Sequence, residues 1–228
     1  MPPALDPGTA HTALQKARLY AILDAAYAPP ARWPDLARQL AAGGAGIFQL
    51  RAKNLPKEEI LSHARILAPL LAKLGLPLLL NDYPDLVAPS GAAGCHLGQD
   101  DLDIPEARKM LGSSVLLGLS THSPCQAEAG QALGADYLGF GPLYATGTKP
   151  EYQPIGPEKI REIAGKVTLP VFCIGGLNPD RVAEAAQHGA RRVCVVSHLL
   201  LARDPAAAAR EILSRLGSGS PLKEAVLS

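Results

Sequence analysis

Residues 170–197, PVFCIGGLNPDRVAEAAQHGARRVCVVS, contain two short, largely apolar runs separated by an amphipathic stretch. Runs of this kind are typical of parallel strands that are covered on both faces. Pro179 opens the amphipathic stretch, and Gly189-Ala190 ends it in the manner of a helix C-cap that leads into the next strand. The segment therefore predicts one strand–helix–strand unit of a parallel sheet.

The same pattern recurs along the rest of the chain. Six further apolar runs occupy residues 19–23, 46–50, 77–80, 94–97, 115–119 and 136–140. Amphipathic segments lie at residues 57–74, 105–111, 124–133, 156–164 and 205–216. These repeats predict an α/β fold, a single-domain (β/α)8 or TIM barrel, over residues 18–216. Residues 1–17 are expected to form a tail or a leading segment, and residues 217–228 a flexible C-terminal tail.

An open, doubly wound sheet is the competing arrangement of the same elements. Such a sheet would concentrate its ligand-binding groups at one switch point. Here polar residues follow one predicted strand after another. This distribution favours the closed barrel, whose loops converge on one face.

The composition excludes several classes of protein. The 228 residues carry 22 Lys and Arg against 21 Asp and Glu, a formal charge of +1 that is too balanced for a nucleic-acid or membrane-surface binder. No apolar run approaches a membrane span, and no secretory leader precedes the barrel. The four cysteines form no CxxC pair and predict buried thiols in a reducing compartment, so we expect a cytoplasmic protein.

The segment QLRAK, residues 49–53, places polar side chains at the end of the second predicted strand. Because side chains alternate across a strand, Gln49, Arg51 and Lys53 would face one direction and Leu50 the other. Three donors in one direction suit an anion, although a solvated strand end would show the same pattern.

Two carboxylates are expected to meet at the same rim. Asp82 ends the third predicted strand, and Asp101 lies in the segment HLGQDD after the fourth. Arg51, Lys53 and Lys149 should keep both ionised, which disfavours a protonated general acid. Mg2+ is the better interpretation, because it takes one or two carboxylates and completes its shell with water and substrate phosphates.

Helix capping is the alternative for these acidic side chains. Asp101 or Asp103 could cap the helix that begins near Pro105, and for Asp103 we favour that interpretation.

Glycines and small hydroxyls follow the last three predicted strands. The loop after the sixth strand carries Thr146-Gly147-Thr148-Lys149, which suits an anion clamp with closely approaching amides, although an ordinary turn would show the same residues. Gly176 follows the seventh strand and Ser197 the eighth, where barrels commonly bind phosphate. Two anion sites, and hence two phosphorylated substrates or one long one, are predicted. No motif of a serine hydrolase, zinc protease or P-loop NTPase is present.

The motifs QLRAK, ND, HLGQDD, GLSTH, DYLGFGPLYATGTK, IGGLNP and VVS, in this order, resemble the thiamine phosphate synthase family over residues 18–216. The resemblance implies a transferase that joins aminomethylpyrimidine diphosphate to hydroxyethylthiazole phosphate and releases pyrophosphate with the help of Mg2+. It also implies dissociative chemistry, in which diphosphate departs first and the thiazole nitrogen captures the cation.

The family pattern assigns a role to individual residues of this sequence. The pyrimidine diphosphate would be held by Gln49, Leu50, Arg51, Ala52, Lys53, Asn81, Ser120 and Lys149. Of these, Arg51, Lys53, Ser120 and Lys149 would be catalytic. Asp82 and Asp101 would bind Mg2+. The thiazole phosphate would be held by Thr146, Gly147, Thr148, Gly176, Val196 and Ser197.

Two rival functions remain at this level. The related thiazole tautomerase shares the barrel and uses a histidine where this chain has His122, which we interpret instead as a rim or support residue. A non-catalytic regulator that binds thiazole phosphate would need only the phosphate site. The sequence keeps the side chains that the family pattern assigns to diphosphate and Mg2+, which argues against both the tautomerase and the regulator. His198 departs from the small residue usual in the family and is expected at the rim or a helix start.

Overall fold

The computed structural model describes residues 4–147 and 152–217. Within this range eight parallel strands form a closed barrel in sequence order, and the first strand pairs with the eighth. The strands are β1 Leu19–Asp24, β2 Ile47–Arg51, β3 Leu78–Asn81, β4 Gly94–Leu97, β5 Leu116–Thr121, β6 Tyr137–Phe140, β7 Val171–Ile174 and β8 Val193–Val195. The predicted α/β barrel is confirmed, and the open sheet is excluded.

Helices surround the barrel and close one of its ends. They are α1 Pro7–Lys16, α2 Trp33–Ala42, α3 Lys57–Ala72, α4 Val87–Ser90, α5 Ile104–Leu111, α6 Pro124–Ala132, α7 Lys159–Ala164, α8 Pro179–Gln187, α9 Ser197–Leu200 and α10 Pro205–Arg215. The last long helix, α10, packs against α2 and α8 and so completes the outer ring. No helix of the described ranges is long and apolar enough to cross a membrane.

The segment before the first strand is a helix. Asp6 caps α1 by accepting a hydrogen bond from the backbone N–H of Thr9 at 2.9 Å. Leu14 is buried, and Arg192, just before β8, donates a hydrogen bond to the Gln15 carbonyl at 2.7 Å. Since these contacts lie at the amino-terminal ends of the strands, α1 covers the end of the barrel opposite the predicted site.

The local signals of the sequence agree closely with the observed elements. The strand predicted at residues 94–97 is β4 to the residue, and Asp103 caps α5 by accepting from the Glu106 N–H at 2.7 Å. Gly75, Gly134 and Gly189 all have positive φ, as helix-ending residues before a strand require. Of the predicted C-terminal tail, only Gly217 falls within the described residues.

Glycines leave space for aromatic rings inside the barrel. Tyr20, Tyr137 and Phe172 are fully buried and make edge-to-face contacts with ring centroids 5.4–5.8 Å apart. Gly118 on β5 lies against one of these rings, because a Cβ at this position would be 2.0 Å from Cζ of Tyr137. A side chain on Gly118 therefore cannot be accommodated without moving the Tyr137 ring.

We expect Gly118→Ala to lower the free energy of unfolding by about 1–3 kcal/mol or more, the usual cost of overpacking a core. Urea denaturation followed by circular dichroism would measure this change. Gly165→Ala is the matched control, since among the described residues no heavy atom beyond its chain neighbours lies within 4 Å of the added Cβ there. Equal stability of the two variants would contradict the close packing at Gly118.

The four cysteines are all free thiols, but they do not share one environment. Cys95, Cys173 and Cys194 are buried, as predicted, whereas Cys125 in the first turn of α6 is exposed. The prediction of a buried thiol is therefore wrong for Cys125. Burial raises the pKa of all three buried thiols, that of Cys173 to about 12, so they are poor nucleophiles near neutral pH.

A thiol reagent should accordingly modify one cysteine of the native protein rapidly and all four after unfolding. Stoichiometry with an absorbance-reporting disulfide reagent measures both numbers. Cys125→Ser should abolish the rapid phase. A second rapid phase in the native protein would show that a buried thiol is accessible.

Candidate active site

A cavity opens at the carboxyl ends of the strands, where the barrel prediction placed the site. Eight of the predicted residues line it: Gln49, Arg51, Asn81, Ser120, Thr146, Gly176, Val196 and Ser197. Apolar side chains form much of the remaining wall, among them Ile22, Phe172, Ile174 and Leu177. The site thus combines polar groups from both predicted anion sites with apolar walls.

The other predicted residues lie outside this lining. Leu50 and Ala52 are buried and are not among the residues that line the cavity, while Gly147 lines an adjoining depression between the loop after β6 and α10. Thr148 and Lys149 fall outside the described residues. Lys53, Asp82 and Asp101 form a separate group at the rim.

Arg51 is held by a carboxylate that the sequence interpretation did not identify. Its Nη1 donates a hydrogen bond to Asp24 Oδ2 at 2.7 Å, and the two side chains are 12% and 2% exposed. Asp24 also accepts a hydrogen bond from the Ala26 N–H at 2.9 Å. Because Asp24 is opposite Arg51 in the β1–β2 register, the guanidinium is fixed in orientation at the cavity wall.

The rim group consists of Lys53, Asp82 and Asp101. Lys53 Nζ contacts Asp82 Oδ2 at 3.1 Å, and the two carboxylates are within hydrogen-bonding reach of each other. Burial, and then the nearby Asp101, raise the pKa of Asp82, which Lys53 only partly offsets. The expectation that Arg51 acts on these two carboxylates is corrected, because Arg51 is paired with Asp24 instead.

The backbone at this pair of carboxylates has an unusual conformation. Asp82 has φ of 64°, in the left-handed region that is uncommon for residues other than glycine. Its N–H donates to the His96 carbonyl at 2.9 Å, and Asp101 accepts a hydrogen bond from the Gly98 N–H at 2.6 Å. Strained backbone of this kind often marks functional positions.

Two adjacent carboxylates fit a divalent cation with mixed coordination. Mg2+ commonly takes one or two protein carboxylates and fills its remaining positions with water and phosphate oxygens. Residues 4–147 and 152–217 contain no cluster of three or more His, Cys, Asp or Glu side chains arranged to hold a metal. The pair Asp82 and Asp101 would leave most coordination positions of such an ion to water and phosphate oxygens.

The loops after β6, β7 and β8 pack closely around the opposite end of the cavity. A Cβ at Gly176 would lie 2.4 Å from the Ala145 carbonyl oxygen, so only glycine allows this approach. Arg181 Nη1 donates to the Gly176 carbonyl at 2.7 Å and holds the loop from α8. Ser197 is the first residue of α9, and His198 follows it in the same short helix, as expected of a helix-start residue.

His122 lines the cavity and is held by neighbouring groups. Its Nδ1 is hydrogen-bonded to the Gly141 carbonyl, and its ring stacks on Tyr152 with centroids 4.5 Å apart. Its backbone N–H donates to Gln126 Oε1 at 2.7 Å. These contacts are consistent with a support role.

A hydrogen-bonded chain crosses the floor of the cavity. Gln49 Nε2 is 2.7 Å from Tyr20 Oη, which is 3.0 Å from Tyr137 Oη. Tyr137 Oη is 2.8 Å from His96 Nδ1, and His96 Nε2 is 3.0 Å from Ser120 Oγ. The sequence predicted a role for Gln49 and Ser120, the two ends of this hydrogen-bonded chain. It predicted none for Tyr20, Tyr137 and His96 between them, because they stand in apolar runs or in the motif HLGQDD.

The fold and the cavity define a (β/α)8-barrel enzyme with its active site at the carboxyl ends of the strands. Residues 19–199 match the family model described as thiamine monophosphate synthase. The chain therefore belongs to the thiamine monophosphate synthase family, and it is a transferase of thiamine biosynthesis.

Individual relatives agree with this assignment. A thiamine-phosphate synthase of Shouchella clausii is 37% identical over 204 residues, which cover 89% of this chain and 98% of the relative. One of Moorella thermoacetica is 41% identical over 179 residues, covering 78% of this chain and 85% of the relative. Among solved structures, thiamine phosphate pyrophosphorylase from Pyrococcus furiosus superposes with a TM-score of 0.80 at 29% identity, covering 90% and 96% of the two chains.

Proposed function

We propose that this enzyme condenses 4-amino-2-methyl-5-hydroxymethylpyrimidine diphosphate with 4-methyl-5-hydroxyethylthiazole phosphate to give thiamine phosphate and pyrophosphate. One observation carries the proposal: a single cavity joins Arg51 and Ser120 at one end to Gly176 and Ser197 at the other. Two phosphorylated substrates bound at these ends would bring their rings together in the apolar middle. Residues 18–216 are the proposed catalytic domain.

The proposed reaction is dissociative. The side chains of the protein would stabilise the negative charge of the leaving diphosphate and exclude water from the cation. Arg51, oriented by Asp24, would stabilise the departing diphosphate together with Lys53 and Lys149. Ser120 would add a hydrogen bond at the same end. Ile22, Phe172 and Ile174 would keep water from the pyrimidine cation until the thiazole nitrogen captures it.

Mg2+ is the proposed cofactor, with Asp82 and Asp101 as its protein ligands. When bound, it would neutralise the developing charge of the diphosphate. The support is electrostatic: the partly buried Asp82 and the exposed Asp101 lie side by side, with only Lys53 paired to them among the described residues. The free thiols agree with the reducing cytoplasm as the proposed compartment.

Two other functions are separated from the synthase by one assay. The purified protein is mixed with both substrates, or with each alone, with and without Mg2+, and pyrophosphate release is measured. We expect release only with both substrates and Mg2+. Isomerisation of a thiazole without pyrimidine would identify a tautomerase acting through His122, and binding without either reaction would identify a regulator.

A further inference from the structure

The direction of each hydrogen bond across the cavity floor follows from the number of protons that Tyr20, Tyr137 and His96 can donate. Burial raises the pKa of Tyr20 and of Tyr137 well above the ordinary value, so both remain protonated phenols. A phenol hydroxyl has one proton to donate. Tyr20 Oη receives a proton from the Gln49 amide, and among the described residues the acceptor within reach of its own proton is Tyr137 Oη.

Each later bond is then determined by the one before it. Tyr137 Oη accepts from Tyr20 and must donate its own proton to His96 Nδ1, at 2.8 Å. A neutral His96 therefore carries its proton on Nε2 and donates it to Ser120 Oγ, at 3.0 Å. Ser120 Oγ is an acceptor in this bond, so its own proton points elsewhere.

We propose that Tyr20, Tyr137 and His96 are positioning residues that make Ser120 a hydrogen-bond donor into the cavity. The inference rests on the proposed synthase function for its catalytic consequence, since the donor would face the departing diphosphate. Ser120 lines the cavity and has no acceptor for its hydroxyl proton within residues 4–147 and 152–217. An anionic oxygen bound there would supply that acceptor.

The surrounding packing preserves this arrangement. Gly139 leaves space for the imidazole, because a Cβ there would lie 3.3 Å from His96 Cε1. Gly118 does the same for the Tyr137 ring. Gln99 Nε2 donates to the Ser120 carbonyl at 2.5 Å, so the serine backbone is held as well. A rotation of the His96 ring would break its bonds to both Tyr137 and Ser120.

The catalytic consequence is tested by a double-mutant cycle on pyrophosphate release. Tyr137→Phe should lower kcat about tenfold, the effect of one lost hydrogen bond, with little change in the KM of either substrate. In a Ser120→Ala background the same change should alter kcat less than about twofold, because the group through which it acts is absent. Equal effects in both backgrounds would overturn the proposal.

A control separates this effect from a general loss of core packing. Phe48 is fully buried on β2 and belongs to no part of the hydrogen-bonded chain. Phe48→Leu should lower stability and leave kcat and both KM values unchanged at a temperature where the protein is folded. A tenfold fall in its kcat would show that packing alone explains the Tyr137→Phe result.

The proton assignment can be tested without any activity. Nitrogen-15 NMR of the wild-type protein distinguishes the two neutral tautomers of histidine, and His96→Gln identifies the His96 signals among the six histidines. We expect the proton on Nε2. A proton on Nδ1 would reverse the chain, make Ser120 the donor to His96 and overturn the proposal. If no pyrophosphate were released, the proposed function would fail, and this spectrum would still decide the direction of the chain.

Discussion

Arg51→Ala is expected to lower turnover by about 10²- to 10³-fold, the usual cost of removing one preorganised donor from developing negative charge. The structure strengthens this expectation, because Asp24 holds the guanidinium at the cavity wall through a 2.7 Å hydrogen bond. Steady-state kinetics at saturating Mg2+ measures the change. Lys149→Ala, which falls outside the described residues, is expected to have an effect of the same order.

A lower stability could imitate that kinetic result. Asp24 is only 2% exposed, so Arg51→Ala leaves a buried carboxylate without its cationic partner, at a cost of about 3–5 kcal/mol. The double variant Asp24→Asn/Arg51→Ala removes the unpaired charge. It should recover much of the lost stability in urea denaturation and none of the lost turnover. Recovery of both together would show that Arg51 acts on folding and not on the substrate.

Asp101→Asn is expected to weaken the apparent Mg2+ affinity by at least about 10- to 100-fold, the range already seen for outer-shell partners of metal ligands. Turnover at low Mg2+ should fall in parallel. The Asn side chain can still accept the hydrogen bond from the Gly98 N–H, so the loop after β4 should keep its shape. Titration of pyrophosphate release against Mg2+ measures the affinity.

The effect of Asp101→Asn on the Tm, relative to the wild-type protein, should depend on whether Mg2+ is present. Without Mg2+ its Tm should rise, because one of two adjacent carboxylates has lost its charge beside the partly buried Asp82. With Mg2+ the wild-type protein should gain stability and the variant should not. Asp85→Asn is the matched control, since this exposed carboxylate pairs with Lys57. A full Mg2+-dependent shift in Asp101→Asn would exclude Asp101 as a ligand.

The barrel and most of its site positions could be predicted because their signals are local. Continuous apolar runs mark buried parallel strands, and the polar residues that follow them must reach one face once the barrel closes. Gln49, Ser120, Gly176 and Ser197 meet in one cavity for this reason. Asp103 was identifiable as a cap because its bond spans only three residues.

The partners inside the barrel were not predictable in the same way. Arg51 and Asp24 are 27 residues apart, and Tyr20 and Tyr137 are 117 apart, so their contact depends on strand register and barrel closure. The same closure pairs Arg51 with Asp24, and among the described residues it places Lys53 as the cation beside Asp82.

For this protein the sequence by itself determined the eight strand–helix units, their caps and the set of side chains at the rim, because these depend on periodicity and on neighbours a few residues away. Only the tertiary structure decided which charges pair and which hydroxyl donates to which ring. Those outcomes depend on distances between strands that no spacing along the chain encodes. The motifs that are separate in the sequence therefore line one cavity. The Arg51 guanidinium is oriented at its wall, and the hydrogen-bonded chain that ends at Ser120 lies beneath it.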